Sequence, residues 1–178
     1  MIKRVNELSK MPHLFLDLDG VCADFFGAWA DHHNVPSYKD IQDPEGAIDK
    51  LAASGPEAVY DFFLNLKLLP GGQTIIRWLS DNHVPYTVLS APLRGEPHAA
   101  IAGKKAWLDI HNPGTSQYAI FTSQKYKYAV KDGHPQVLVD DFGKYIKDWA
   151  AAGGISIKHD ETTAEHTISQ LEKIYLPR

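Results

Sequence analysis

The chain has 178 residues, 44% of them hydrophobic, and a formal net charge of −4 with histidine neutral. That length suits one domain with a modest insertion, and the acidic balance argues against duplex nucleic acid as a partner, because phosphate-tracking surfaces are clearly basic. A single cysteine, Cys22, excludes an intrachain disulfide framework, and the short apolar run near the N-terminus is interrupted by charge, so a cytoplasmic protein with no membrane partner is expected.

Residues 13–18 (HLFLDL) form a short apolar run that stops at acid and glycine, the pattern of a buried strand ending in a polar loop. Helix periodicity follows over 23–32, with Phe25, Phe26 and Trp29 at helical spacing. Residues 34–44, broken by Pro36 and Pro44, read as loop. Two helices, 45–53 and 56–66, flank Ser54-Gly55, with Pro56 suited to a first helical turn. Pro70-Gly71-Gly72 is a turn signal, and the spacing predicts a helix over 73–81. A strand over 86–89 ends at Ser90-Ala91-Pro92, and a helix over 97–110 follows. Further strands are predicted over 118–121, ending at Thr122, over 137–139, ending at Asp140-Asp141, and over 155–157. Helices are predicted over 142–152 and 164–174.

Strands that alternate with helices predict an α/β fold, a doubly wound parallel sheet whose ligands bind beyond the carboxyl ends of the strands. The stretch 23–67 carries no strand signal. It predicts a small helical cap inserted after the first strand, with 1–22 and 68–178 as the core.

The candidate reactive groups converge on those strand ends: Asp17 and Asp19, Ser90, Thr122, then Asp140 and Asp141. Two acids at i and i+2 before a glycine can face one small volume, where they repel unless a cation lies between them. Magnesium, which prefers oxygen ligands, resolves that repulsion. One carboxylate of such a pair can attack phosphorus and the other can protonate the leaving oxygen. A lone pair of this kind is more often a solvated loop, and Asp140-Asp141 taken alone is equally a helix cap before Phe142. Occurring together, the two pairs favour a metal site in which one acid binds and Asp141 orients or caps. Ser90 and free backbone N–H groups beside it can hold phosphate oxygens, although an isolated turn serine is common. Lys125 follows the third strand and can offset phosphate charge. Lys127, Lys104 and Lys105 compete for that role, and most lysines are surface charge. Cys22 reads as a small apolar filler.

The ordered set DLDGV (17–21), LSAP (89–92), FTSQK (121–125) and LVDDF (138–142) resembles the four motifs of haloacid dehalogenase-like phosphatases, and WAAAGGISIKH (149–159) is similar to the family's helix, glycine turn and final core strand. A nearer resemblance is to the 5′(3′)-deoxyribonucleotidases, through DLDGVCADF (17–25) and FFLNLKLLPGG (62–72). That resemblance implies a Rossmannoid core and a magnesium-dependent phosphomonoesterase acting through an aspartyl-phosphate. Asp17 would be the nucleophile and Asp19 the general acid/base. Magnesium would be held by Asp17, the Asp19 carbonyl and Asp140, with Asp141 behind them. Ser90, Ala91 and Lys125 would bind phosphate and Phe25 would contact the base of a nucleoside monophosphate.

The chain departs from the family pattern at Ala91, where a second hydroxyl is common, and at Ser123-Gln124, where an arginine often precedes the lysine. Residues 34–53 lack the family's aromatic base-binding segment, and the interval from Lys125 to Asp140 is lengthened near 131–135. Substrate choice therefore stays open between nucleotides, another small phosphorylated metabolite and nucleic-acid 3′-phosphate ends. A non-catalytic magnesium- or nucleotide-binding protein is a further alternative, against which the intact Asp17 and Asp19 argue.

Overall fold

Leu14–Leu16 (β1) is fully buried and pairs in parallel with two neighbours at once, Leu14 lying opposite both Tyr86 and Val137. A strand enclosed on both sides and both faces is apolar at every position, which is why the run lacks alternation. The computed structural model describes residues 11–176. The expected core ranges extend past them, and residues 1–10 and 177–178 lie outside the described residues.

The other strands are Tyr86–Ser90 (β2), Ile120–Phe121 (β3), Val130–Lys131 (β4), His134–Pro135 (β5), Val137–Asp140 (β6) and Ile155–Lys158 (β7). Five of them form one parallel sheet in the order β3-β2-β1-β6-β7. The order reverses direction at β1, which makes the gap beyond β1 and its neighbours the topological switch point. The helices are Phe25–His32 (α1), Pro44–Ala53 (α2), Pro56–Leu64 (α3), Pro70–Asp81 (α4), Pro97–His111 (α5), Gly143–Ala151 (α6) and Ala164–Tyr175 (α7). Four of them start with proline in the first turn, where its missing N–H has no intrahelical partner to lose.

Alternate residues of β1 feed two cores. Leu14 and Leu16 join Val88, Val139, Ile75, Trp107 and Leu171 on one face, while Phe15 joins Leu89, Leu138 and Trp149 on the other. Helices α4, α5 and α7 cover the first face and α6 the second, so the sheet is doubly wound as the alternation predicts.

Residues 23–67 contain helices and no strand. The chain leaves and returns at one point: Asp24 N donates to Lys67 O at 2.9 Å and Leu69 N to Cys22 O at 2.8 Å. From there α3 packs along α5, and Gly103 makes their close approach possible, since a Cβ there would stand 2.5 Å from Tyr60 O. Trp107 Nε1 donates to Leu66 O at 2.7 Å and ties the returning segment to the core.

Local readings differ from the structure at several places, among them the strand expected over 118–121, which forms only at Ile120–Phe121. Residues 38–40 of the expected loop form a short 3-10 turn, with Ser37 accepting from Lys39 N. The helix expected from residue 73 starts at Pro70, which supplies its first turn. The lengthened interval after Lys125 is an antiparallel ribbon, β4–β5, closed by Asp132 and Gly133 at φ 51° and 78°. Two successive positive φ values are the signature of a tight hairpin turn and account for the Asp-Gly dipeptide.

Gly72, at the start of α4, presses against the loop that follows β1, where a Cβ would lie 2.4 Å from both Cys22 Cα and Val21 O. These are backbone atoms that cannot swing aside. Gly72→Ala should therefore lower stability by about 1–3 kcal/mol in a urea titration. Gly143→Ala, which meets nothing within 4 Å, should leave it unchanged or raise it. Equal effects from the two would contradict this packing.

Candidate active site

Every strand that reaches the switch point delivers a polar group there. Asp17 follows β1 and is held by its own N–H, which donates to Val139 O at 2.9 Å. The chain then folds over itself: Cys22 N and Ala23 N both donate to Leu18 O at 2.8 Å, and Gly20 N donates to Ala23 O. That tight turn needs φ +74° at Gly20, which only glycine adopts readily. A side chain at Gly20 would also collide with Asp141, its Cβ standing 2.3 Å from Oδ2. Glycine thus lets the first and fourth motifs touch.

Lys125, in the 3-10 turn Lys125–Tyr128 after β3, is 1% exposed. Its Nζ lies 2.7 Å from Asp17 Oδ1 and 2.7 Å from Asp140 Oδ2, with the Tyr145 ring 4.5 Å away. Asp140 Oδ1 accepts from Phe142 N at 2.8 Å, so one oxygen faces the cluster and the other caps the backbone before α6. Lys127, the competitor two residues on, is exposed and lines a separate cleft of about 1210 Å³. That cleft runs past His13, Pro85 and Gln136 at the amino ends of the strands, away from the acid cluster.

A second buried lysine reaches the site from α5. Lys104 Nζ, also 1% exposed, lies 2.6 Å from Asp19 Oδ2, 2.9 Å from Ser90 Oγ and 2.6 Å from Ala91 O. The structure thereby brings Ser90 and Ala91 to the site, with the Ser90 hydroxyl engaged by Lys104. Sequence reasoning weighed Lys104 only as a competitor of Lys125 for the phosphate charge and did not place it beside Asp19. A signal was present: Ala100, Gly103, Lys104 and Trp107 share one helical face, the face that α5 buries, while Lys105 points out. A lysine on a buried stripe needs a carboxylate partner.

Asp17, Asp140 and Asp141 each place an oxygen within 4.8 Å of the others. Asp141 therefore stands within the acid group rather than behind it, and the Asp19 side chain turns instead to Lys104. Asp19 Oδ1 is buried without a hydrogen-bond partner among the described residues. The electrostatics carry the strain of this crowding. Burial, then repulsion by Asp17, raises Asp140 above the ordinary carboxylate range. Burial, then Asp17, Asp140 and Asp19, raises Asp141 to about 8. Asp19 is raised by burial, with Lys104 pulling against it. For Lys125 burial alone would lower the ammonium, but Asp17 and Asp140 outweigh it and raise the value. Four carboxylates face two ammonium groups, and the excess negative charge, made of hard oxygen donors, fits a divalent cation.

Phe25 opens α1 after this loop. Its ring is half-buried and packs against the core, 5.5 Å from Trp29 and 5.8 Å from Phe62. Cys22 is buried beneath the loop, its Sγ 3.7 Å from Asp17 O, and burial holds its thiol far above the ordinary range, as suits an inert filler.

Residues 10–173 match the family model described as 5′ nucleotidase, deoxy (pyrimidine), cytosolic type C protein. Among solved structures, a hydrolase from Pseudomonas syringae is 15% identical with a TM-score of 0.51, over 91% of this chain and 98% of its own. A HAD hydrolase of family IA, variant 3, from Entamoeba histolytica is 16% identical with a TM-score of 0.49, over 92% and 89%. No curated protein matches the sequence. The architecture is the haloacid dehalogenase-like α/β fold. No helix among the described residues is long and apolar enough to cross a membrane.

The pH behaviour of the metal-free protein follows from Asp141. Its folded value lies above the unfolded one, so the stability gained from its bound proton is complete below about pH 4 and is lost as pH rises through about 8. In chelator, Asp141→Asn should melt with the wild type at about pH 4 and above it at about pH 9. A melting difference independent of pH would contradict the crowding described here.

Proposed function

Because the chain belongs to the cytosolic type C deoxy-pyrimidine 5′-nucleotidase family, we propose that it hydrolyses nucleoside monophosphates, ribo or deoxy, through a phosphoryl group carried on Asp17. The observation that supports this most is the placement of Lys125 between Asp17 and Asp140, with a second pair formed by Lys104 and Asp19. Each carboxylate of the first motif has its own cation, and the two therefore differ in environment and in role.

Asp17 is the nucleophile. Lys125 sits 2.7 Å from its Oδ1 and holds the attacking carboxylate in place. As the Asp17 oxygen bonds to phosphorus, the bond from phosphorus to the substrate's ester oxygen breaks. Asp19, raised by burial, delivers a proton to that departing oxygen and releases the nucleoside. Asp19 then takes a proton from water, whose oxygen attacks phosphorus, frees Asp17 and yields inorganic phosphate. Ser90, the backbone at Ala91, Lys104 and Lys125 hold the phosphoryl oxygens and offset their charge. Lys104 links this cradle to the acid, since one ammonium group reaches Asp19, Ser90 and Ala91 together.

Magnesium fits the donor set. It would be held by Asp17 and Asp140, with the Asp19 carbonyl as the family resemblance implies and with Asp141 drawn close by the geometry. When bound, it supplies charge neutralisation and orientation of the phosphoryl oxygens. The helical segment 23–67 serves as the cap over a core made of 1–22 and 68–178, and the part of the substrate away from phosphate faces that cap. The substrate is a small phosphomonoester, in keeping with the family and with the chain's net charge of −4.

Asp17→Asn should abolish turnover of a nucleoside 5′-monophosphate while circular dichroism and melting remain those of a folded protein. Retention of the wild-type rate would contradict the nucleophile assignment. Chelation should silence the wild type and magnesium should restore it. Full activity in a preparation shown by elemental analysis to hold no metal would remove the cation from this scheme.

A further inference from the structure

Three groups surround the Lys125 ammonium, and the phosphate chemistry uses two of them. Nζ stands 2.7 Å from Asp17 Oδ1 and 2.7 Å from Asp140 Oδ2. Lysine ends in a compact ammonium with three rotatable donors on a flexible four-carbon stem, so its tip has many positions open to it. Lys125 also comes from the short 3-10 turn Lys125–Tyr128 beyond β3 rather than from the sheet itself. Two carboxylates that both draw the ammonium do not by themselves fix how far it leans towards either. The third group is Tyr145. Nζ stands over its ring, 4.5 Å from the centroid.

The ring is held by contacts of its own. Tyr145 lies in the first turn of α6 and packs, half-buried, on the second core, made of Phe15, Leu89, Ala129, Leu138 and Trp149. Phe142 meets it at 5.4 Å with planes inclined by 72°. The approach to α6 also fixes Asp140, whose Oδ1 accepts from Phe142 N at 2.8 Å. One helix start thus sets a carboxylate and an aromatic face against the same ammonium group. A cation over an aromatic face within about 6 Å is attracted by the ring quadrupole, and more strongly where water is excluded. Lys125 is 1% exposed, so water does not compete for it. The ring differs from the carboxylates in one further respect. Asp17 passes from a free carboxylate to an acyl phosphate and back during the proposed reaction, whereas the ring keeps its charge distribution throughout.

We propose that Tyr145 is a positioning residue whose ring seats the Lys125 ammonium and keeps it aimed at the phosphoryl group while Asp17 changes from carboxylate to acyl phosphate and back. This inference rests on the reading of the site as a phosphatase with Asp17 as nucleophile, and it holds for whichever phosphomonoester is cleaved. The effect passes through Lys125, since the ring faces the ammonium and not the substrate. The seat matters most once Asp17 has bonded to phosphorus and no longer holds Lys125 as a carboxylate. Its loss therefore slows phosphoryl transfer more than it weakens substrate binding.

The test compares wild type, Tyr145→Phe, Tyr145→Leu, and Tyr145→Phe carrying one, two or three fluorines on the introduced ring. Each is assayed with magnesium on a nucleoside 5′-monophosphate and on p-nitrophenyl phosphate, and each has its melting curve taken. Fluorine withdraws charge from the ring face and weakens its hold on a cation, while shape and packing stay nearly the same. Tyr145→Phe, which keeps the ring, should keep the wild-type kcat. Along the fluorinated series kcat should fall stepwise on both substrates, reaching the level of Tyr145→Leu, about five- to thirtyfold below wild type, with KM little changed. Equal kcat across the fluorinated series would make the ring a packing element and overturn the proposal, and the phosphatase reading would stand. A gradient confined to KM would set the ring against the substrate instead of the lysine and overturn it equally. If the wild type cleaves neither substrate, the phosphatase reading falls and this inference with it.

Discussion

Four carboxylates converge at the ends of β1 and β6 and in the loop between them and the cap, and this convergence governs the surrounding structure. Charges this close are tolerable only with counter-charge. Lys125 supplies it between Asp17 and Asp140, and Lys104 supplies it at Asp19. Both ammonium groups are almost wholly buried, a costly state for lysine unless carboxylates surround it. Acids and lysines therefore stabilise one another in place, and the raised values at Asp140 and Asp141 mark the negative charge the two lysines leave uncompensated.

That constraint shapes the backbone around it. The loop after β1 must turn back within six residues, and its glycine must pass Asp141 without a side chain. The same loop is braced from behind by Gly72, which brings the start of α4 against Val21 and Cys22. The chain leaves for the cap and returns beside itself, at Asp24–Lys67 and Cys22–Leu69. A cap anchored this close to Asp19 inherits its position from the reactive loop. A few backbone hydrogen bonds thus join the helical segment to the loop that carries Asp17 and Asp19.

Much of this was legible in the residues. The strands could be read because each apolar run stops at a polar group, and the order of those stops is the order of the motifs. The doubly wound sheet followed from alternation, and the strand-free helical stretch 23–67 from its interruption. Three things were hidden for separate physical reasons. Lys104 lies on a helix, where a lysine beside another lysine reads as solvent-facing, and only its register with Ala100 and Trp107 betrays burial. The ribbon at Val130–Pro135 is too short for periodicity, although Asp132-Gly133 signals its turn. Among the three aromatics of α1, helical spacing cannot tell which ring faces the core, because that depends on the cap's packing. Phe25 turns to Phe62 and Phe63, whereas Phe26 meets Tyr38 from a segment whose prolines suggested only loop.

The account stands on Asp17 as the group that takes the phosphoryl. The most direct measurement is a rapid acid quench of the magnesium-loaded enzyme mixed with a nucleoside monophosphate labelled in its phosphate, followed by peptide mapping of the trapped protein. The account predicts an acid-stable, hydroxylamine-labile label on the peptide containing Asp17, formed and discharged at rates that match turnover and absent from Asp17→Asn. Turnover with no covalent label at any time, or a label on another residue that forms at the turnover rate, would contradict it.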